Sequence, residues 1–174
     1  MIEFKILNSS SEDVEDFSFA FSRLLYEATQ QGASMGYLLE TPISQLENYW
    51  AGVLSNVARG SALVVYAEDD SEIIGVVVLQ NENNPNARHR AEVKKLIVRS
   101  DKRGQGIAKK LLALVEMEAR IGGRTLLLLD TETDSDAEFL YEKMGWTRLG
   151  VMPNHSALPS GELRPTTYFY KELD

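Results

Sequence analysis

The segment that most restricts what this chain can become lies between Glu92 and Ala119. Glu92-Val93-Lys94-Lys95-Leu96-Ile97-Val98 has the composition of a strand, Arg103-Gly104-Gln105-Gly106-Ile107-Ala108 follows after a short gap, and Ile107, Leu111, Leu112, Val115 and Ala119 then trace one helix face. Strand, glycine turn and amphipathic helix therefore come in that order. Successive amides in such a turn converge with a helix N-terminus into a concave anion site, to which Arg103 adds a forked charge. A pyrophosphate suits that site. Two familiar phosphate motifs fail: no Gly-Lys-Ser/Thr follows, and Lys109 stands where a third dinucleotide-binding glycine belongs. The alternative is a glycine-containing strand-to-helix connection with no ligand.

The rest of the chain supplies a mixed α/β frame. Glu3 to Leu7 predicts a strand, and Ser9-Ser10-Ser11 predicts the start of a helix whose face is Val14, Phe17, Phe21, Leu24, Leu25 and Ala28. Thr41-Pro42 predicts a second helix start, with Leu46, Tyr49, Trp50, Val53 and Val57 on its core face. Ala62 to Glu68 and Glu72 to Leu79 read as a hairpin, and Thr125 to Asp130 as a nearly continuous apolar strand covered on both faces. Ser135-Asp136-Ala137-Glu138 fits a capping box. Final strands at Thr147 to Val151 and Thr166 to Leu173 flank a Pro/Gly-containing loop. With no repeat or linker to divide it, residues 1–174 read as one domain of order β-α-α-β-β-β-α-β-α-β-β.

Charge and composition exclude several functions. Eighteen Lys and Arg against 26 Asp and Glu leave a net charge of −8, with no broad cationic face for nucleic acid or anionic lipid. The absence of cysteine removes disulfides, thiolate metal sites and a thiol nucleophile, and two histidines are few for a metal centre. His89 and His155 read as surface or packing residues, with His155 a candidate to line a substrate site. Trp50, Tyr37 and the Tyr168-Phe169-Tyr170 run read as core and sheet residues. No apolar stretch is long enough for a membrane span, so the expectation is a soluble, cytoplasmic protein.

The glycine turn resembles that of the GNAT N-acetyltransferases, whose hallmark is Arg/Gln-x-x-Gly-x-Gly/Ala between a fourth strand and a third helix. Val93-Lys94-Lys95-Leu96-Ile97-Val98 is similar to that family's V-x-x-L-x-V strand. Phe139-Leu140-Tyr141-Glu142-Lys143-Met144-Gly145-Trp146 resembles its F-Y-x-K-x-G-F helix end, with Leu140 inserted. Gln31 to Tyr37, Arg90 to Val93, Leu129 to Glu132 and Arg164 to Thr166 look most like the tabtoxin-resistance branch. The resemblance implies a mainly antiparallel, twisted sheet of about seven strands, splayed between strands 4 and 5, with helices on both faces. It also implies acetyl-CoA as cosubstrate and no metal.

By the same resemblance, Leu96 and Val98 present main-chain groups to the pantetheine arm, and Arg103, Gly104, Gln105, Gly106, Ile107 and Ala108 hold the diphosphate. An alkyl ammonium of pKa about 10.4 is neutral in roughly one molecule per few thousand at pH 7, so the acceptor needs a base. Ideal alternation places Glu92, Lys94, Leu96 and Val98 on one face, with the Glu92 carboxylate aimed along the cofactor strand. Asp130 shares parity with Leu126 and Leu128 at the mouth of a dry cleft. Tyr141 matches the family tyrosine that faces the coenzyme sulfur, the general acid. The bland alternatives are an ion pair from Glu92 to a neighbouring strand, a turn cap at Asp130 and a packing role for Tyr141. The acceptor is expected to be a small amine such as a tabtoxinine-type β-lactam, admitted between Gln31 to Tyr37 and the Met152 to Pro165 loop. A polyamine, an aminoglycoside or a peptide N-terminus stays open, as does a non-catalytic acyl-CoA sensor. A homodimer built through the C-terminal strands is a further expectation.

Overall fold

Runs of Val, Ile and Leu at β2 (Ala62–Asp69) and β3 (Glu72–Asn81) build the centre of the sheet. They pair antiparallel around Asp70 and Ser71, both with positive φ (50° and 67°), a two-residue turn whose twist suits right-handed strands. In this computed structural model, which describes residues 1–12 and 14–174, five further strands join them. These are β1 (Glu3–Leu7), β4 (Arg90–Val98), β5 (Leu126–Glu132), β6 (Thr147–Ala157) and β7 (Leu163–Glu172). The order across the sheet is β1-β2-β3-β4-β5-β7-β6, and the β4–β5 pair alone runs parallel. Helices α1 (Ser18–Gln30) and α2 (Ile43–Ala58) cover one face of β1 to β4, over Val64, Tyr66, Val76, Val78 and Ile97. Helices α3 (Ile107–Ile121) and α4 (Asp136–Lys143) cover the other, over Val65, Val77, Val93, Leu127 and Phe169. Among the described residues no helix is long and apolar enough to cross a membrane.

Several boundaries differ from those the sequence predicts. Helix α1 begins at Ser18 after a 3-10 turn over Val14–Phe17, because the serines serve a turn of their own: Ser11 Oγ accepts from Asn8 N, and Asn8 Oδ1 accepts from Ser10 N. At α2, Pro42 is the N-cap and the Thr41 hydroxyl turns back to accept from Leu38 N. Strand β5 is buried at Leu127 and Leu129 and only half-buried at Leu126 and Leu128, since α1 and α2 stop short of it. The segment Met152 to Pro165 is not an open loop. Most of it extends β6 and β7 into a long hairpin, whose tip carbonyl, Pro159 O, accepts from Leu39 N at 3.0 Å.

The alternation expected along β4 is also broken. Val78 pairs with Lys94, but Val76 pairs with Ile97, so β4 carries one extra residue, and Lys95 takes a positive φ of 53°. The bulge exchanges the two faces. Glu92 and Lys94 lie on the α1/α2 side, whereas Leu96 and Val98 turn to the α3 side.

A buried polar knot joins α3 to the far strands. Glu116, 5% exposed, accepts from Trp146 Nε1 at 2.9 Å and from Lys171 Nζ at 2.8 Å, and Lys171 also donates to Met144 O. Removing the charge of one partner leaves the other buried and under-compensated. Glu116→Gln should therefore lower stability by about 1–3 kcal/mol, read from the midpoint of chemical denaturation at unchanged slope.

Candidate active site

Pairing between β4 and β5 extends only from Arg90↔Leu126 to Glu92↔Leu128. Beyond it, the bulge redirects β4 and the two strands separate. The gap is a cleft of about 410 Å³, with Leu96, Ile97 and Val98 on one wall and Thr131 and Glu132 on the other. Arg103, Gly104, Gly106, Ile107 and Ala108 close one end, and Ser135, Ala137 and Leu140 of the α4 start border it. Of the residues expected to hold the cofactor, only Gln105 does not line the cleft; it is exposed beside it.

The glycine turn has the form of an anion cradle. Gly104 and Gly106 hold φ of 76° and 79°, and a Cβ on either would meet nothing within 4 Å, so open space lies over the turn. The first helical hydrogen bond of α3 runs from Lys110 N to Gly106 O, which leaves the amides of Ile107, Ala108 and Lys109 without acceptors in the helix. Arg103 donates from Nε to Val98 O at 3.2 Å and lines the cleft together with the turn. Lys102 is committed elsewhere, to Asp69 at 2.9 Å. The cleft has the shape to take an extended arm that ends in a diphosphate at the glycine turn, as the pantetheine half of acetyl-CoA does.

The predicted carboxylates gather on the opposite face of the sheet. Register places Glu92 beside Leu128 and Asp130 beside Tyr168, so that Glu92, Asp130 and Tyr168 share a face at the mouth of the splay. Glu92 pairs with Lys94 of its own strand at 3.0 Å rather than with a neighbouring strand. Asp130 is exposed, not dry, because no helix covers the end of β5 on that side. Tyr168 hydrogen-bonds to His155 Nε2 at 2.7 Å, and His155 Nδ1 reaches Ser156 and Thr166 at 2.9 and 3.1 Å. His155 thus belongs to a strand, bonded to a residue that borders Asp130.

Tyr141 lies beneath this mouth, 5% exposed, its ring 5.8 Å from Trp146 and 5.9 Å from Phe169. It does not line the cleft wall; Leu140 does. Burial raises its phenol well above the usual value, with the Asp130 charge acting in the same direction.

Lys95 has no counterpart among the predicted site residues. From the bulge its ammonium crosses to the α1–α2 connection, donates to Met35 O at 2.6 Å, and lies 5.5 Å from the Tyr37 ring and 5.1 Å from the Tyr49 ring. Burial lowers its pKa to about 8, with Lys94 adding to the shift and the charges of Asp130 and Glu92 opposing it. Consecutive lysines inside an apolar strand were the available signal: on a regular strand one of them must face a core.

A family model described as an acetyltransferase (GNAT) domain matches residues 60–148, about half of the chain and the part holding the bulge, the glycine turn and Tyr141. The chain belongs to the GNAT acetyltransferase family. Among its GNAT relatives, acetyltransferase Atu2258 of Agrobacterium fabrum is 35% identical, over 58% of this chain and 86% of that protein. N-acetyltransferase 8F1 of Rattus norvegicus is 38% identical over 53% of this chain, which spans only 42% of that relative's length. The fold is shared with yncA of Salmonella typhimurium, solved with its cofactor acetyl-CoA (TM-score 0.79, 16% identity, 100% and 95% of the two chains). It is shared equally with an N-acetyltransferase of Staphylococcus aureus Mu50 (TM-score 0.81, 15% identity, 100% and 99%).

Proposed function

We propose that residues 1–174 form one N-acetyltransferase domain that moves the acetyl group of acetyl-CoA directly to the primary amine of a small molecule. The observation that supports this most is the placement of a diphosphate cradle at one end of the β4–β5 splay and of two carboxylates, Glu92 and Asp130, across its mouth. Main-chain groups of Leu96 and Val98 align the pantetheine arm, and an amide near Leu96 polarises the thioester carbonyl. Such a donor typically contributes about 10²–10³ in rate. Glu92 and Asp130 take the ammonium proton, directly or through water. The amine nitrogen then bonds to the thioester carbon, the carbon–sulfur bond breaks, Tyr141 protonates the departing sulfur, and the second proton lost from nitrogen returns through water to the phenolate. With no cysteine in the chain, no thiol is present to form an acyl-enzyme.

The family resemblance favours an amino-acid-like antibiotic or toxin of the tabtoxinine β-lactam kind as acceptor, and resistance in the cytoplasm as the role. Thiol release from acetyl-CoA over a panel of such compounds, polyamines, aminoglycosides and short peptides tests the reading. Saturable release with a small amine supports it; coenzyme binding without release on any acceptor leaves a sensor instead. Because two carboxylates share the proton, Glu92→Gln or Asp130→Asn alone should lower kcat by about tenfold, less than the ~10²–10⁴ of a sole base, with acetyl-CoA affinity unchanged.

A further inference from the structure

We infer that Lys95 selects acceptors that carry a carboxylate as well as the amine, and that it is the residue receiving that carboxylate. This rests on the transfer reading above and names the class of small amine the site takes.

The argument starts from an incomplete coordination. An ammonium has three donors, and Lys95 gives one to Met35 O. No carboxylate oxygen lies within 4.0 Å of it among the described residues; its ammonium stands instead beside the rings of Tyr37 and Tyr49 and near Gly36. Lys95 is half-buried, and a partly desolvated cation with spare donors gains from an anion or further acceptors that complete it. Glycine at position 36 keeps that side clear, since a Cβ there would already stand 3.6 Å from Nζ.

Its neighbours decide which anion completes it. Glu92 shares its charge with Lys94 3.0 Å away on a half-exposed surface, Asp130 is free of any ion pair among the described residues, and both carboxylates act on Lys95 without touching it. The mouth of the splay thus presents separated charges of both signs, carboxylates toward β5 and an ammonium toward the α1–α2 connection. A zwitterion meets both, and its orientation is fixed: the amine is drawn to Glu92 and Asp130, beside the thioester, while its carboxylate points to Lys95. A diamine or other polycation satisfies the carboxylates but adds positive charge beside Lys95.

The test compares amines that differ only in the carboxylate, 4-aminobutyrate with propylamine and L-lysine with cadaverine, on the wild type, Lys95→Met and Lys95→Arg. A hydrogen bond to a charged partner corresponds to roughly ten- to a hundredfold in binding. The wild type should therefore favour the carboxylate member by at least about tenfold in kcat/KM. Lys95→Met should bring that ratio to about one, mainly through KM, and Lys95→Arg should restore part of it. An equal ratio in wild type and Lys95→Met, or a wild-type preference for cadaverine, overturns the assignment. A lysine that merely pins Met35 would lower both members of each pair alike, and that outcome also overturns it. In a second arm, the ¹³C signal of the Lys95 ε-carbon is followed in the coenzyme A complex as 4-acetamidobutyrate or N-propylacetamide is added. A shift with the carboxylate alone supports the inference, and equal responses reject it. Absence of turnover on every amine counts against the transfer reading, while this binding arm still decides the role of Lys95.

Discussion

Replacing Gly106 with valine should weaken coenzyme A binding at least a hundredfold, whereas the same replacement at Gly123 should leave it unchanged. The two glycines are matched: φ is 79° at Gly106 and 74° at Gly123, and a Cβ at either position meets nothing within 4 Å. Each substitution carries a left-handed penalty of about 1–2 kcal/mol, so both variants should lose a similar few degrees of melting temperature. They differ in what the turn does. Gly106 is the residue before α3, and its conformation points the free amides of Ile107, Ala108 and Lys109 into the space over the turn. Displacing two such charge-assisted bonds removes about 1.5–3 kcal/mol each, which sets the hundredfold floor. Gly123 follows the other end of the same helix, remote from the cleft. Calorimetric titration of both variants checks the comparison, and equal losses at the two glycines would remove the turn from coenzyme recognition.

This turn is the part of the site most legible in the sequence, because its spacing is local. Arg103, Gly104 and Gly106 fall within four residues, and the requirement for positive φ falls on residue types that signal it. The same holds for the β2–β3 hairpin and for the Ser135 cap, whose hydroxyl accepts from Glu138 N as the capping box implies. What could not be read lay in long-range geometry. Strict alternation puts Glu92 on the face of Leu96 and Val98, but β4 is covered on both faces, so the step of three in the V-x-x-L-x-V spacing does not by itself expose the extra residue that the pairing with β3 reveals. Once Lys95 is recognised as the extra residue, Glu92 moves to the acceptor side, and Lys95 is directed at the α1–α2 connection instead of solvent. Local competition explains the capping shifts. Ser11 before α1 and Thr41 before α2 have good capping side chains, but the amides of Asn8 and Leu38, three residues earlier, take their oxygens. The Pro/Gly-containing stretch after Val151 reads as loop from composition, and continues as strand because β7 offers a ladder as far as Ala157↔Leu163.

Removing the hydroxyl of Tyr141 should lower kcat by about 10²–10⁴ and leave acetyl-CoA affinity within about twofold. The residue sits on α4 between the ring contacts with Trp146 and Phe169, and phenylalanine retains both. Its ring is not part of the cleft wall, so the coenzyme loses no contact surface in the variant. Burial, assisted by the Asp130 charge, holds the phenol above its usual value, so the proton is present through the neutral and mildly alkaline range. Tyrosine deprotonation therefore makes no descending limb in the wild-type rate profile below about pH 10. Acetylation by Tyr141→Phe should depend more steeply on the leaving thiol, since an unprotonated thiolate must depart unaided. Thioester analogues with less basic thiols should recover part of the lost rate. A Tyr141→Phe variant with wild-type turnover, or one that loses coenzyme affinity in step with kcat, would return the residue to a purely packing role and pass the proton to solvent or to Tyr168.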